Sequence, residues 1–193
     1  MTIEITGNWN KGFALDLHTT GSEYLGDDQY GNPRFNTTRS EVGQLLYDLK
    51  YRGNKTVIPE IIGKIKECIT GIEKFDYIVS IPPSKTDRPF QPVKLICLEL
   101  SSEYKIPFLH DAIIKMKSTE ELKNVTDISR RKEILEDTLS FNAEYDLKGK
   151  NVLVIDDLYR SGSTLAVVTD LLYKKGNVSC VCAVVLTKTR SNR

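Results

Sequence analysis

The segment Val152-Leu-Val-Ile-Asp156-Asp157-Leu-Tyr-Arg160-Ser161-Gly162-Ser163-Thr164-Leu165 restricts the fold of this chain more than any other. Four consecutive apolar residues, Val152 to Ile155, read as a strand buried on both faces, the pattern of a parallel sheet layered between helices. Two carboxylates follow at its carboxyl end, then a turn of hydroxyl residues around a glycine, then a helix expected from Ser163 to about Lys175. A strand that ends in a polar turn and feeds a helix is half of a βαβ unit. It places the turn where open α/β sheets bind their ligands, outside the carboxyl ends of the strands.

The rest of the chain agrees with alternating strands and helices. Val42, Leu45, Leu46 and Leu49 repeat at helical spacing, with Thr38 and Glu41 as a capping box and Gly53 as the stop. Ile58, Ile61, Ile62, Ile65 and Ile69 predict a second helix, with Pro59 tolerated in its first turn. Gln91 to Tyr104 predicts a third, with Val93, Ile96, Cys97 and Leu100 inward. Strands are expected at Thr2 to Thr6, Gly12 to Leu17, Tyr77 to Ile81, Phe108 to Lys115, Thr138 to Asn142 and Ser179 to Thr187. The stretch Thr19 to Asn36 lacks periodicity and reads as a long functional or partly mobile loop, and the charged stretch Met116 to Glu136 as helix, loop or both. The expected fold is α/β, a mainly parallel Rossmann-like sheet in one domain spanning residues 1–193. Its loops after Ile81, Lys115 and Ile155 are the places to look for a site.

Composition removes several function classes. With 27 Lys plus Arg against 26 Asp plus Glu, the chain has no basic surplus to grip nucleic acid or an anionic membrane. No apolar run nears the roughly 20 residues of a membrane span, and Met1 to Gly7 has no secretory pattern, so a cytoplasmic protein is expected. Cys68, Cys97, Cys180 and Cys182 form no C-x-x-C pair, and His18 and His110 are far apart, which argues against a structural zinc and for buried thiols. No metal-binding residues are expected in the protein itself.

The Asp156–Asp157 pair carries the chemistry. Two carboxylates a few ångströms apart repel by roughly 1–4 kcal/mol, so a sugar diol or a nearby Mg²⁺ is needed to offset them. The turn from Arg160 to Thr164 offers hydroxyls, a glycine for close backbone approach and the amides of a helix start, which together suit a phosphate. The helix dipole contributes only about 0.3–2 kcal/mol, so hydrogen bonds of about 1.5–3 kcal/mol each to the charged group must carry most of the affinity. Diol and phosphate a few residues apart describe a ribose 5-phosphate. Solvated aspartates before an ordinary helix cap are the plainer alternative, and an acidic pocket like that of a response regulator is another.

The segment resembles the motif by which type I phosphoribosyltransferases bind 5-phosphoribosyl-1-diphosphate (PRPP). The resemblance implies that Asp156 and Asp157 hold the ribose hydroxyls, and that Arg160, Ser161, Gly162, Ser163 and Thr164 hold the 5-phosphate. Arg160 departs from the threonine usual in that family, exchanging a hydroxyl for a cation. Ile81-Pro-Pro-Ser84-Lys85-Thr-Asp-Arg88-Pro-Phe-Gln-Pro92 resembles the family's diphosphate loop, with Ser84, Lys85 and Arg88 as donors, although a surface turn with solvated cations is the simpler reading of those residues alone. This loop and the region Thr38 to Gly53, ending Leu-Lys-Tyr-Arg-Gly, are similar to the ComF-like, competence-associated branch. The four-cysteine zinc module that many of its members carry is missing here.

The resemblance further implies a hood from residues 1–37 and a catalytic flexible loop at 116–136. Lys115, Lys117, Lys123, Arg130 and Arg131 would reach the leaving diphosphate, and Asp156, Asp157 and Lys117 would be the catalytic residues. A transfer of the phosphoribosyl group to a nitrogen acceptor such as a nucleobase follows, with Mg²⁺ bound through PRPP. The partners are PRPP and the small-molecule acceptor, with no membrane and no strong nucleic-acid signal, and a homodimer stays open. Trp9, Phe13 and Tyr30 would stack on the acceptor or fill the core. The rival expectations are a PRPP or nucleotide sensor, an accessory protein of DNA uptake or phage defence, and hydrolysis of PRPP without an acceptor.

Overall fold

The computed structural model describes residues 2–83, 89–116 and 134–190. The elements run β1 (Ile3–Glu4), β2 (Lys11–Leu17), β3 (Thr19–Asp27), β4 (Pro33–Arg39), α1 (Glu41–Arg52), α2 (Ile58–Cys68), β5 (Tyr77–Ser80), α3 (Pro92–Tyr104), β6 (Phe108–Leu109), β7 (Ile113–Lys115), β8 (Leu139–Phe141), β9 (Asn151–Tyr159), α4 (Ser163–Lys174) and β10 (Cys180–Lys188). Six strands form the central sheet in the order β1-β2-β10-β9-β5-β6. All its neighbours are parallel except β1, which runs antiparallel to β2 at the edge.

Alternation along the two central strands supplies both cores at once. Val152 and Val154 of β9 share a buried cluster with Val181, Ala183 and Val185 of β10 and with Leu165, Val168 and Leu172 of α4. Leu153 and Ile155, with Cys182, Val184 and Leu186, pack instead on Leu46 and Leu49 of α1, Ile61 and Ile65 of α2, and Ile96 and Leu100 of α3. The near-continuous apolar runs are therefore read correctly as strands covered on both faces. Cys97 and Cys182 are buried, and Cys68 and Cys180 are half-buried.

Several local expectations are corrected. Thr19 to Asn36 is not an irregular loop. It belongs to the hairpin β3–β4, closed by a turn in which Asp28 accepts from the backbone amides of Tyr30 and Asn32. Both faces of the ribbon meet solvent, so no apolar alternation marks it; Tyr24, Leu25 and Phe35 are all exposed. Residues 1–37 accordingly divide: β1 and β2 belong to the main sheet, and the hairpin stands off it.

The strand expected from Phe108 to Lys115 is broken. β6 pairs with β5, the chain turns at His110 to Ala112, and β7 joins β8 in a separate two-stranded sheet. The loop after Lys115 therefore does not leave the central sheet. Helix α1 is capped by Ser40, whose Oγ accepts from the Gly43 amide, rather than by Thr38. Ser40 is pinned there because its hydroxyl also donates to the Leu17 carbonyl.

Candidate functional site

The acidic pair lies inside β9, not beyond its end. On one side β9 stays paired with β10 as far as Lys188 opposite Tyr159. On the other, β5 stops at Ser80 opposite Ile155, where Pro82 and Pro83 end the pairing. Asp156 and Asp157 thus sit just past the end of β5 on an open stretch of strand edge, and the loop that leaves Ile81 departs from the same edge. Ser84, Lys85 and Arg88 of that loop lie outside the described residues, as do Lys117, Lys123, Arg130 and Arg131.

Being successive residues of a strand, the two carboxylates leave it toward opposite faces. Asp156 points to the α4 side, where it helps line a cavity of about 80 Å³ together with residues 158–165. Asp157 points to the α1 side, where its Oδ2 meets Lys50 Nζ at 2.5 Å. The Asp156 carboxylate accepts from the Asp157 amide at 2.8 Å. Burial first, and the Asp157 charge second, push the Asp156 carboxyl well above the usual carboxylate range; Lys50 opposes them. The predicted repulsion between neighbours is thus present, but the opposite faces and Lys50 already moderate it.

Around Asp157 a short relay fixes the geometry. Thr187, fully buried in β10, donates its hydroxyl proton to the Asp157 carbonyl at 3.0 Å. With that proton committed, Thr187 Oγ1 can only accept from His18 Nδ1, 3.1 Å away, which assigns His18 the Nδ1–H tautomer. Burial and the nearby Lys50 and Arg39 cations lower the His18 pKa and keep the ring neutral. Neither Lys50 nor His18 stood out in the sequence, although Lys50 lies within the Leu-Lys-Tyr-Arg-Gly run. An ion pair spanning 107 positions leaves no periodic trace.

The phosphate-suited turn is built as a helix start. Gly162, at φ 77°, is the N-cap residue of α4 and offers no capping side chain, while Ser161 Oγ accepts a long 3.5 Å hydrogen bond from the Ser163 amide. Its carbonyl accepts the first helical bond from Ala166 at 2.8 Å. Ser161 and Ser163 hydroxyls meet at 2.9 Å over the turn. The leading amides of α4 thus face the cavity beside hydroxyls and the helix dipole. A volume of about 80 Å³ is several times the roughly 10–15 Å³ that one water requires, which gives room for a group of phosphate size. The glycine is required on two counts: the left-handed backbone, and Tyr159, whose hydroxyl would come within 2.7 Å of an added Cβ. That ring, not a phosphate, occupies the space a larger side chain would enter.

Arg160 is exposed at the mouth of the turn. Trp9 is buried, donating to the Ile5 carbonyl and meeting Tyr159 edge-on at 6.3 Å, and Phe13 packs on the α1 side. Tyr30 stands 79% exposed at the hairpin tip. Lys115 ends β7, half-buried, with its ammonium pKa lowered by burial.

This strand, acidic pair and glycine-started helix stand together at one edge of an α/β sheet, and comparisons with known proteins give the family. A family profile described as the phosphoribosyl transferase domain matches residues 86–193, more than half the chain, and the chain belongs to that family. It is similar to competence protein ComFC of Bacillus subtilis, 26% identical over 153 residues, covering 76% of this chain and 59% of that protein. It is also similar to DNA utilization protein YhgH of Escherichia coli O157:H7, 27% identical over 120 residues, covering 58% and 52%. The chain therefore spans between half and three-fifths of the length of these relatives. Among solved structures, adenine phosphoribosyltransferase of Thermoanaerobacter pseudethanolicus shares the fold, with a TM-score of 0.52 over 86% of this chain and 83% of that one at 16% identity.

Proposed function

We propose that this protein binds PRPP and transfers its 5-phosphoribosyl group to a nitrogen acceptor, most simply a nucleobase, with release of diphosphate. The observation that carries this reading is the joint placement of two carboxylates and a glycine-started helix at one open edge of β9. The α4 amides and the Ser161, Ser163 and Thr164 hydroxyls would hold the 5-phosphate. A ribose lying across the strand edge would meet Asp156 from one face and Asp157 from the other. Ser84, Lys85, Arg88 and Lys117 are proposed for the diphosphate, and the hairpin with residues 116–136 for the hood.

Among the described residues, no group of three or more His, Cys, Asp or Glu is placed to hold a metal ion. Two carboxylates at one strand edge fit a Mg²⁺ held mainly by ligand oxygens, which needs only one or two protein carboxylates. Carried on PRPP, it would neutralise charge on the departing diphosphate. The chain's own contribution is to fix the sugar and phosphate so that C1 is presented to the acceptor, which is where most of the rate of such a displacement arises.

The names of the relatives favour a second reading, a non-catalytic PRPP- or nucleotide-binding accessory to DNA uptake or use. Among the described residues no helix is long and apolar enough to cross a membrane, and a cytoplasmic setting is part of the proposal. One assay separates the readings: diphosphate release from PRPP with Mg²⁺ across a panel of purines, pyrimidines and other nitrogen acceptors. Release with a single acceptor establishes the transferase and names its substrate. Release without any acceptor means hydrolysis, and tight binding without release under every mixture overturns the enzyme reading in favour of the accessory.

A further inference from the structure

Helix α1 delivers a cation to the acidic pair. Leu45, Leu46 and Leu49 bury its inner face, and Gly53, at φ 67°, closes it by donating a hydrogen bond from its amide to the Asp48 carbonyl. Lys50, in the last turn, reaches the acidic pair from there, and its ammonium meets Asp157 with the two side chains 17% and 24% exposed. At that exposure the pair is far better shielded from salt and water than a surface ion pair such as Lys174–Asp170, where the lysine is 71% exposed. The backbone of Asp157 is held independently by Thr187, so Lys50 acts on the carboxylate alone.

We propose that Lys50 is a positioning residue of the sugar site: through Asp157 it holds the second carboxylate fixed on the α1 side of β9, and it supplies the positive charge that lets both carboxylates stand at one strand edge before a ligand arrives. The inference rests on the PRPP reading and deepens it, because it separates the roles of the pair. Asp157 is preset by direct contact with a protein cation, whereas Asp156 makes no such ion pair among the described residues and waits for a hydroxyl or a ligand-borne metal. Removing the ammonium makes the pair depend on added cation.

The test uses ribose 5-phosphate, which lacks the diphosphate, as probe. Binding is measured by calorimetry with and without Mg²⁺ for the wild type, Lys50→Arg, Lys50→Gln, Asp157→Asn and the Lys50→Gln/Asp157→Asn pair, each checked by thermal melting. The wild type is expected to bind without Mg²⁺ and Lys50→Arg to follow it. Lys50→Gln is expected to lose roughly tenfold or more without Mg²⁺, the scale of one hydrogen bond to a charged group, and to recover part of that when Mg²⁺ is added. In the Asp157→Asn background, Lys50→Gln should cost nothing further, since its effect passes through that carboxylate.

Equal binding by Lys50→Gln and wild type in both buffers overturns the inference while leaving the PRPP reading in place. So does an undiminished loss in the Asp157→Asn background, which would make Lys50 a direct ligand contact. Should Lys50→Gln fail to fold, a Lys50→Arg protein that folds but needs Mg²⁺ to bind would overturn it equally. If the wild type binds neither ribose 5-phosphate nor PRPP, the underlying reading falls and this inference with it.

Discussion

Asp156 and Asp157 are adjacent in sequence and separated by a strand in space, and the difference has consequences for stability. Asp156 faces the cavity beside α4, with burial and its neighbour's charge raising its carboxyl pKa. An acid whose native pKa exceeds the unfolded value of about 3.9 favours folding below that value and loses the contribution as pH rises toward the native one. At neutral pH its ionisation therefore costs stability. Asp156→Asn should melt higher than wild type at pH 7–8, by on the order of 1 kcal/mol, or about 2–4 °C for a chain of this size. It should also lose PRPP binding, and the stability gain should vanish near pH 4. Melting curves across that range that show no gain at neutral pH would mean the carboxyl is not held at a cost. The residue types of this pair were legible in the sequence. Their opposite faces were not, because the sequence alone does not say that β10 carries the ladder on past Ile155 to Tyr159.

Elements with one buried stripe were read from periodicity with small errors: α1, α2, α3 and α4 all lie where apolar spacing placed them, as do the central strands. The failures occur where burial does not mark the backbone. The β3–β4 ribbon is wet on both faces, and the break between β6 and β7 is set by tertiary contacts at the turn, where the Tyr145 hydroxyl donates to Asp111 and the Asn142 amide to the Ala112 carbonyl. The cap of α1 shows how close local rules can come and still miss by two residues. Ser40 caps because it can donate to the Leu17 carbonyl while accepting from Gly43, a bond to β2 that no local motif contains. Gly43 itself has the His18 carbonyl 2.3 Å from where a Cβ would stand, so strand end and helix start are locked together. Ser40→Ala should lose about 1–2 kcal/mol in denaturant unfolding, the range of a lost N-cap, and should weaken ribose 5-phosphate binding because α1 carries Lys50. Loss of stability with unchanged binding would show that α1 holds its cation without help from the cap.

At the scale of the whole molecule, the order β1-β2-β10-β9-β5-β6 places the last strand of the described chain between the second and the ninth. Cys182 stands beside Lys11 on one side and beside Leu153 on the other. During synthesis, therefore, the nascent chain presents β2 and β9 as two open, apolar parallel edges with nothing between them until the residues of β10 have cleared the ribosome. Long-range parallel pairing of this kind is slow and exposed to misassociation. Folding of the central layer should thus be a late event that waits for β10. An arrest-peptide tether, which reports the pull of a folding nascent chain, should register force only once Lys188 is outside the exit tunnel. A chain stopped before Cys180 should be cleaved readily by protease. A strong pull while β10 is still inside the tunnel would show that the first nine strands close on one another without it.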